Sequence, residues 1–255
     1  MISWNRRRQI RYFLIVVIFI ASVAGSFYWY TKPAPSCFDG KLNQNERGVD
    51  CGGSCLKVCS ADVIPLQTVW IRPFEIIPGS YSVIGLFENH NRDLGVDRLA
   101  YTIRLVNDLG ATIATRSGET FVNPQEKFVI FESALPTGGQ KPVRAFIEFN
   151  SNVSWATPKI DRPILTVVRK EISNDDKPLL HAVVTNTSVY DLESIVVPVV
   201  LSGNDNNVFT GSATLVESLP RGASKDMYFT WPNAWPYLPA ITDFYPRVNT
   251  FRIEA

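Results

Sequence analysis

Histidine, catalytic signatures and helix-forming runs are all scarce in this chain of 255 residues, which has only two histidines, His90 and His181. Neither has a cysteine or aspartate companion at nucleophile or metal-ligand spacing. The G-x-S-x-G elbow, the H-E-x-x-H pair, the phosphate loop and the dinucleotide fingerprint are missing. No catalytic residue is nominated and the chain is not expected to be an enzyme. A carbohydrate hydrolase, whose paired acids come from distant strands, is the alternative of that class. Residues 1–32 hold no acidic side chain, whereas Arg6, Arg7, Arg8, Arg11 and Lys32 are basic. The rest has 20 basic against 24 acidic residues. A mildly acidic remainder without a basic stripe excludes a nucleic-acid partner, because phosphate neutralisation supplies most of that affinity. Beyond Cys59 there is no cysteine, so no antibody-type disulfide can cross a later domain.

One long apolar run is present. Tyr12–Tyr30 carries no charge, and 19 helical residues at about 1.5 Å each span roughly the hydrocarbon thickness of a bilayer. The arginines before it place the N-terminus in the cytoplasm by the positive-inside bias, and Phe27–Tyr30 suit the opposite interface. The expected order is a cytoplasmic basic tail (1–11), a transmembrane helix (12–30) and a Pro-containing linker (31–36). Ser22-Val23-Ala24 also has the form of a signal-peptidase site, leaving cleavage after Ala24 as the alternative to an uncleaved anchor. Under either reading the remainder is exported, and the single-pass reading puts it outside the cell membrane.

Four cysteines crowd into residues 37–59. Cys37, Cys51, Cys55 and Cys59, spaced C-x13-C-x3-C-x3-C, read as two disulfides whose pairing the spacing does not choose. Cross-links suit a segment too short to build its own core. Between the first two cysteines lie Asp39, Asn43, Asn45, Glu46 and Asp50, the oxygen-donor types of a calcium site, although the spacing is not that of an EF-hand. Asp and Asn beside glycine are also ordinary turn formers. A zinc site from the four cysteines fits poorly with export and with the missing C-x2-C pairs.

The stretch Cys37-Phe38-Asp39-Gly40, Asn43, Glu46, Gly48, Asp50-Cys51-Gly52-Gly53, Cys55 and Cys59 resembles a cysteine motif of exported bacterial proteins. Its form is C-x-D-G-x-x-N-x-x-E-x-G-x-D-C-G-G-x-C-x-x-C, the last gap here being three residues. That resemblance implies export and brings no activity with it.

After Ser60 the chain reads as short strands between Gly, Pro, Asn and Asp. Leu99–Leu105 alternates with period two, as does Ile195, Val197, Val199 and Leu201, where Pro198 suggests an edge strand. The halves look duplicated. Asn89 and Asn186 lie 97 apart, Leu105 and Leu201 96, and Phe131 and Phe229 98, with a polar or glycine turn before each final strand. Two all-β units follow, 62–152 and 160–255, each expected to hold some seven strands like an immunoglobulin-like sandwich. With the helix and cysteine module the chain resembles bacterial single-pass membrane proteins bearing a DCGG-type module and tandem Ig-like domains. The expected function is an extracytoplasmic binding or structural protein of the cell envelope. An accessory subunit of a membrane or secretion complex, assembled partly through small residues such as Ala21 and Gly25, is the alternative. Trp231, Trp235 and Tyr237, among three prolines, form a candidate surface for an envelope protein or glycan; a Pro-braced loop closing a sandwich end is the other reading. Asn152 and Asn186 begin glycosylation sequons in form.

Overall fold

The computed structural model describes residues 4–31, 34–55, 57–150 and 153–253. Lys32 and Pro33 of the linker and the sequon at Asn152 lie outside them. The chain divides into two compact units, Met1–Cys55 and Leu56–Ala255.

The first unit opens with helix α1, Trp4–Thr31. It is longer than the uncharged run and carries Arg7, Arg8 and Arg11 within its first turns, so the basic tail expected at 1–11 is helical from Trp4 onward. An apolar window of this helix is long enough to cross a membrane, and its described side chains are exposed throughout. The cysteine segment is a series of turns. A disulfide joins Cys37 to Cys55, and Cys51 and Cys59 are likewise disulfide-bonded. Gly53 adopts φ +61°, and a Cβ there would lie 1.6 Å from the Asn45 carbonyl oxygen, so only glycine fits that turn.

The second unit is mostly β and holds twelve strands among the described residues: β1 (Gln67–Ile77), β2 (Ser80–Glu88), β3 (Val96–Val106), β4 (Thr112–Val122), β5 (Lys127–Pro136), β6 (Arg144–Phe149), β7 (Leu165–Ser173), β8 (Leu179–Asn186), β9 (Leu192–Ser202), β10 (Val208–Leu219), β11 (Ser224–Thr230) and β12 (Ile241–Phe244). They form four antiparallel sheets of three, ordered β1-β2-β5 and β4-β3-β6, then β11-β8-β7 and β10-β9-β12. Adding six to each label of the first half gives the second. Each half is thus a six-stranded sandwich among the described residues, not the seven-stranded unit expected.

The duplication reaches the side chains. Asn89 and Asn186 are both buried at the end of the second strand of their copy. The Asn89 amide donates to Leu94 O and Asn123 O, each at 2.8 Å, while its Oδ1 accepts from Asn91 N. Asn186 donates to Tyr190 O at 2.8 Å and Leu219 O at 3.0 Å, and its Oδ1 accepts from Ser188 N. One side chain therefore ties three segments of its sandwich in each copy, which is why asparagine recurs there. With its amide so engaged, Asn186 is no accessible sequon in the folded state.

Three apolar layers run through the unit. Val83 and Phe87 of β2 meet Tyr101, Ile103 and Leu105 of β3 inside the first sandwich. Leu180, Ala182 and Val184 of β8 meet Ile195, Val197, Val199 and Leu201 of β9 inside the second. Between the sandwiches, Ile84 and Leu86 of β2 and Val129 of β5 pack with Val200 of β9, bordered by Trp70, Phe74, Phe131, Val208 and Tyr245. The outer face of one sheet thus covers the outer face of the other, and each such side chain is worth about 1.5–3 kcal/mol in water removed. Gly211 permits the close approach, since a Cβ there would stand 2.6 Å from Ile84 Cδ1. β9 is consequently central and buried on both faces. The edge position expected from Pro198 is corrected: Pro198 O accepts from Tyr245 N at 2.9 Å, and the bond its missing N–H forfeits falls just past the end of short β12.

Candidate functional site

Polar groups converge where the sandwiches join. Beyond β12 the chain continues along β9, Arg247 pairing with Val196, and side chains of Arg247–Thr250 reach the first sandwich. Arg247, 4% exposed, pairs at 3.0 Å with Glu126, 3% exposed, in the turn before β5. The guanidinium also donates to Phe121 O and to Thr120 Oγ1. It lies between the Phe121 and Phe128 rings, 4.1 Å and 4.5 Å from their centroids. Burial draws the Arg247 pKa down and the Glu126 charge opposes this; an arginine starting so high stays protonated. The Glu126 carboxylate accepts from Asn123 N at 2.8 Å as well. Asn123 reaches back across the junction, donating to Val248 O and accepting from Thr250. Asn249 and Arg252 both bind Asp97. A buried charge pair with such partners is costly to break singly, so the strap locks one sandwich to the other.

Two hollows flank the apolar layer. One, of ≈ 1030 Å³, is lined by Tyr101, Phe121, Phe131, Glu193, Leu215 and Arg247 among others. Tyr101 donates to Glu132 at 2.7 Å, and burial, followed by that bond, raises its pKa. The other, of ≈ 430 Å³, lies between Ser82, Phe131 and Ser133 of the first sandwich and Phe209, Trp231 and Trp235 of the second.

The residues nominated from sequence fare unevenly. Trp231 and Trp235 are 8% and 7% exposed and belong to the second core, packed edge to face with centroids 4.9 Å apart. Both indoles are therefore corrected from open partner surface to core, because the strand end and its prolines fold them under the sandwich. Only Tyr237 stands out, at 45%, against Phe209. In the cysteine module the proposed calcium donors already hold the backbone. Asp50 accepts from the amides of Asp39 and Gly40. Asp39 accepts from Lys41 N and from the Asn43 amide, which lowers its carboxyl pKa. Glu46 accepts from Asn43 N at 3.2 Å. The Asn45 backbone passes so close to Gly53 that its carbonyl oxygen leaves no room for a Cβ there. Cys37, Glu46 and Cys55 converge, but the two sulfurs are bonded to each other and are not thiolate ligands. His90 bonds Gln67, and His181 stacks on Tyr228 beside Asp226. Sequence reading missed Arg247 and Glu126, isolated charges without periodic context.

No family model and no curated protein matches the chain. Among solved structures it is similar to red sea bream transglutaminase at 13% identity, over 73% of this chain and 31% of that chain, with a TM-score of 0.24. A likeness of that size carries no argument, and the chain spans under a third of that enzyme chain. The fold defines the class by itself: a double β-sandwich on a chain with one N-terminal helix able to cross a membrane, compatible with an anchored extracellular protein.

Proposed function

We propose that the chain is an extracytoplasmic binding and structural module of the bacterial cell envelope, anchored by α1 with its N-terminus in the cytoplasm. It presents two Ig-like domains as one rigid body to an envelope protein or glycan. The supporting observation is the junction itself. A flexible tether needs no sheet-on-sheet packing and no buried Arg247–Glu126 pair, whereas a binding surface shared by two domains requires fixed geometry. Arginines in the first turns of α1, before its apolar run, and aromatics at its far end favour the stated orientation, and two disulfides favour an oxidising compartment. The test is chemical cross-linking of the native protein in its own membrane. One envelope component captured by the intact chain and lost when residues 62–255 are deleted supports the reading. Identical capture by the helix and cysteine module alone overturns it.

A second reading, an accessory subunit of a membrane complex, is favoured by the shallow groove that Ser22, Gly25, Ser26 and Trp29 form on α1. Exchanging α1 for an unrelated anchor separates the two, because only the subunit role needs this helix.

A further inference from the structure

We infer that the cysteine module rests in the outer interface of the bilayer, inserting Phe38 and Leu42 among the lipid headgroups beside α1. This extends the anchored reading proposed above and rests on it. Three observations support it. The first is an inversion of polarity. Apart from Pro35 and the cysteines, Phe38, Leu42 and Val49 are the large apolar side chains of residues 34–55, and they are 91%, 62% and 54% exposed. The carboxylates of Asp39, Glu46 and Asp50 are turned instead onto the module's own amides. A lone exposed apolar side chain is ordinary. A module that bonds its charges internally and exposes every large apolar group has the polarity of a surface made for lipid.

The second is the frame that carries these side chains. Asp50 accepts at 3.0 Å from the amides of both Asp39 and Gly40, which holds the chain next to Val49 against the chain next to Phe38. The Cys37–Cys55 disulfide closes the same loop, with Cα atoms 5.6 Å apart. Cross-links and internal hydrogen bonds keep the module folded without a core, so its apolar groups are free to leave water elsewhere. A frame fixed in advance also loses little freedom on docking.

The third is the tether. Phe38 lies seven residues past Thr31, where α1 ends. That is at most about 25 Å of chain, so a spanning α1 keeps the module at the bilayer surface. Docking is then intramolecular, and contacts too weak to hold a free module suffice. Three acidic residues (Asp39, Glu46, Asp50) face two basic ones (Lys41, Arg47) within residues 34–55. Attraction to anionic lipid is therefore not the drive, and apolar insertion is. A protein partner fits less well, because a stable interface takes about 20–30 residues a side, as many as the whole stretch contains.

The experiment reconstitutes the full chain into phosphatidylcholine vesicles containing a phospholipid with a diazirine near its glycerol. After irradiation, mass spectrometry locates the labelled peptides. Labelling of both α1 and residues 37–50 is expected. Phe38→Ser combined with Leu42→Ser should cut module labelling at least about fivefold relative to α1, since interfacial binding scales with buried apolar area. The Cys37–Cys55 peptide pair should still be recovered, because both positions are exposed. Val49→Trp adds an interfacial aromatic and should raise the labelling. About 0.5 M salt should leave it unchanged, as screening acts on charges alone. A labelled α1 with an unlabelled module overturns the inference, leaves the anchored reading standing and assigns Phe38 and Leu42 to a protein partner. Module labelling that salt abolishes, or that neither variant changes, overturns it too. An unlabelled α1 overturns the inference and the anchored reading together.

Discussion

Removing Glu126 should unlock the two sandwiches. In Glu126→Ala the guanidinium of Arg247 stays buried between Phe121 and Phe128 with only Thr120 and Phe121 O to accept from it. Stranding one charge of a buried pair costs about 3–5 kcal/mol, a large share of the roughly 5–15 kcal/mol that holds a domain folded. For a unit of this size each kcal/mol moves the melting point by about 2–4 °C, so a drop of about 6–20 °C is expected. Arg247→Met should cost a similar amount by stranding the carboxylate, softened by the methionine's packing between the two rings. A cycle of Glu126→Gln, Arg247→Met and their combination tests the coupling, since the double keeps an acceptor for Asn123 N and leaves no charge. The double should therefore lose about 2 kcal/mol less than the sum of those two singles, the mark of residues that act together. The assay is urea and thermal unfolding of the solubilised chain followed by circular dichroism. A cost under about 1 kcal/mol for Glu126→Ala, or strict additivity in the cycle, would refute the lock.

Other consequences reach the rest of the unit. Val200→Asp places a charge in the apolar layer against Ile84 and Leu86 and should turn one unfolding transition into two, because it parts the sandwiches without touching either inner core. Asn89→Ala and Asn186→Ala should each lose about 1–3 kcal/mol by orphaning buried carbonyls; a small effect at one site alone would contradict the equivalence of the copies. Tyr245 has its pKa pushed up to about 12, chiefly by burial and then by Asp243 and Glu88. A group raised in the folded state stabilises fully below its unfolded value near 10 and ceases to as pH climbs through the folded one. Stability should thus fall between about pH 10 and 12, less steeply in Tyr245→Phe, as read by urea midpoints across that window. Mass spectrometry of the unreduced digest should recover a peptide pair joined through Cys37 and Cys55.

Much of this architecture is written in local patterns. A helix long and apolar enough to cross a membrane follows from nineteen uncharged residues, and the duplication from landmarks such as Asn89 and Asn186, whose hydrogen bonds are equivalent in space. The run Ile195–Leu201 held more than its alternation showed. Val196, Pro198 and Val200 between the alternating residues are apolar too, the pattern of a strand buried on both faces, and Tyr81–Phe87 carries the same signal apart from Ser82 and Gly85. The junction was illegible for a different reason. Glu126 and Arg247 are 121 positions apart and become buried only when the C-terminal strap docks on the other copy. A local reading therefore sees two solvated charges. Trp231 and Trp235 misled in the opposite sense, since aromatic residues among prolines have one composition whether they face a partner or close a core.

The placement of the sandwiches outside the membrane is tested most directly by an impermeant amine-reactive biotin applied to intact cells. Every lysine, from Lys32 to Lys225, lies beyond the apolar run of α1, so labelled lysines, scored by mass spectrometry apart from the N-terminal amine, report one side of the membrane. The account predicts equal labelling before and after lysis. Labelling that appears only after lysis would contradict it.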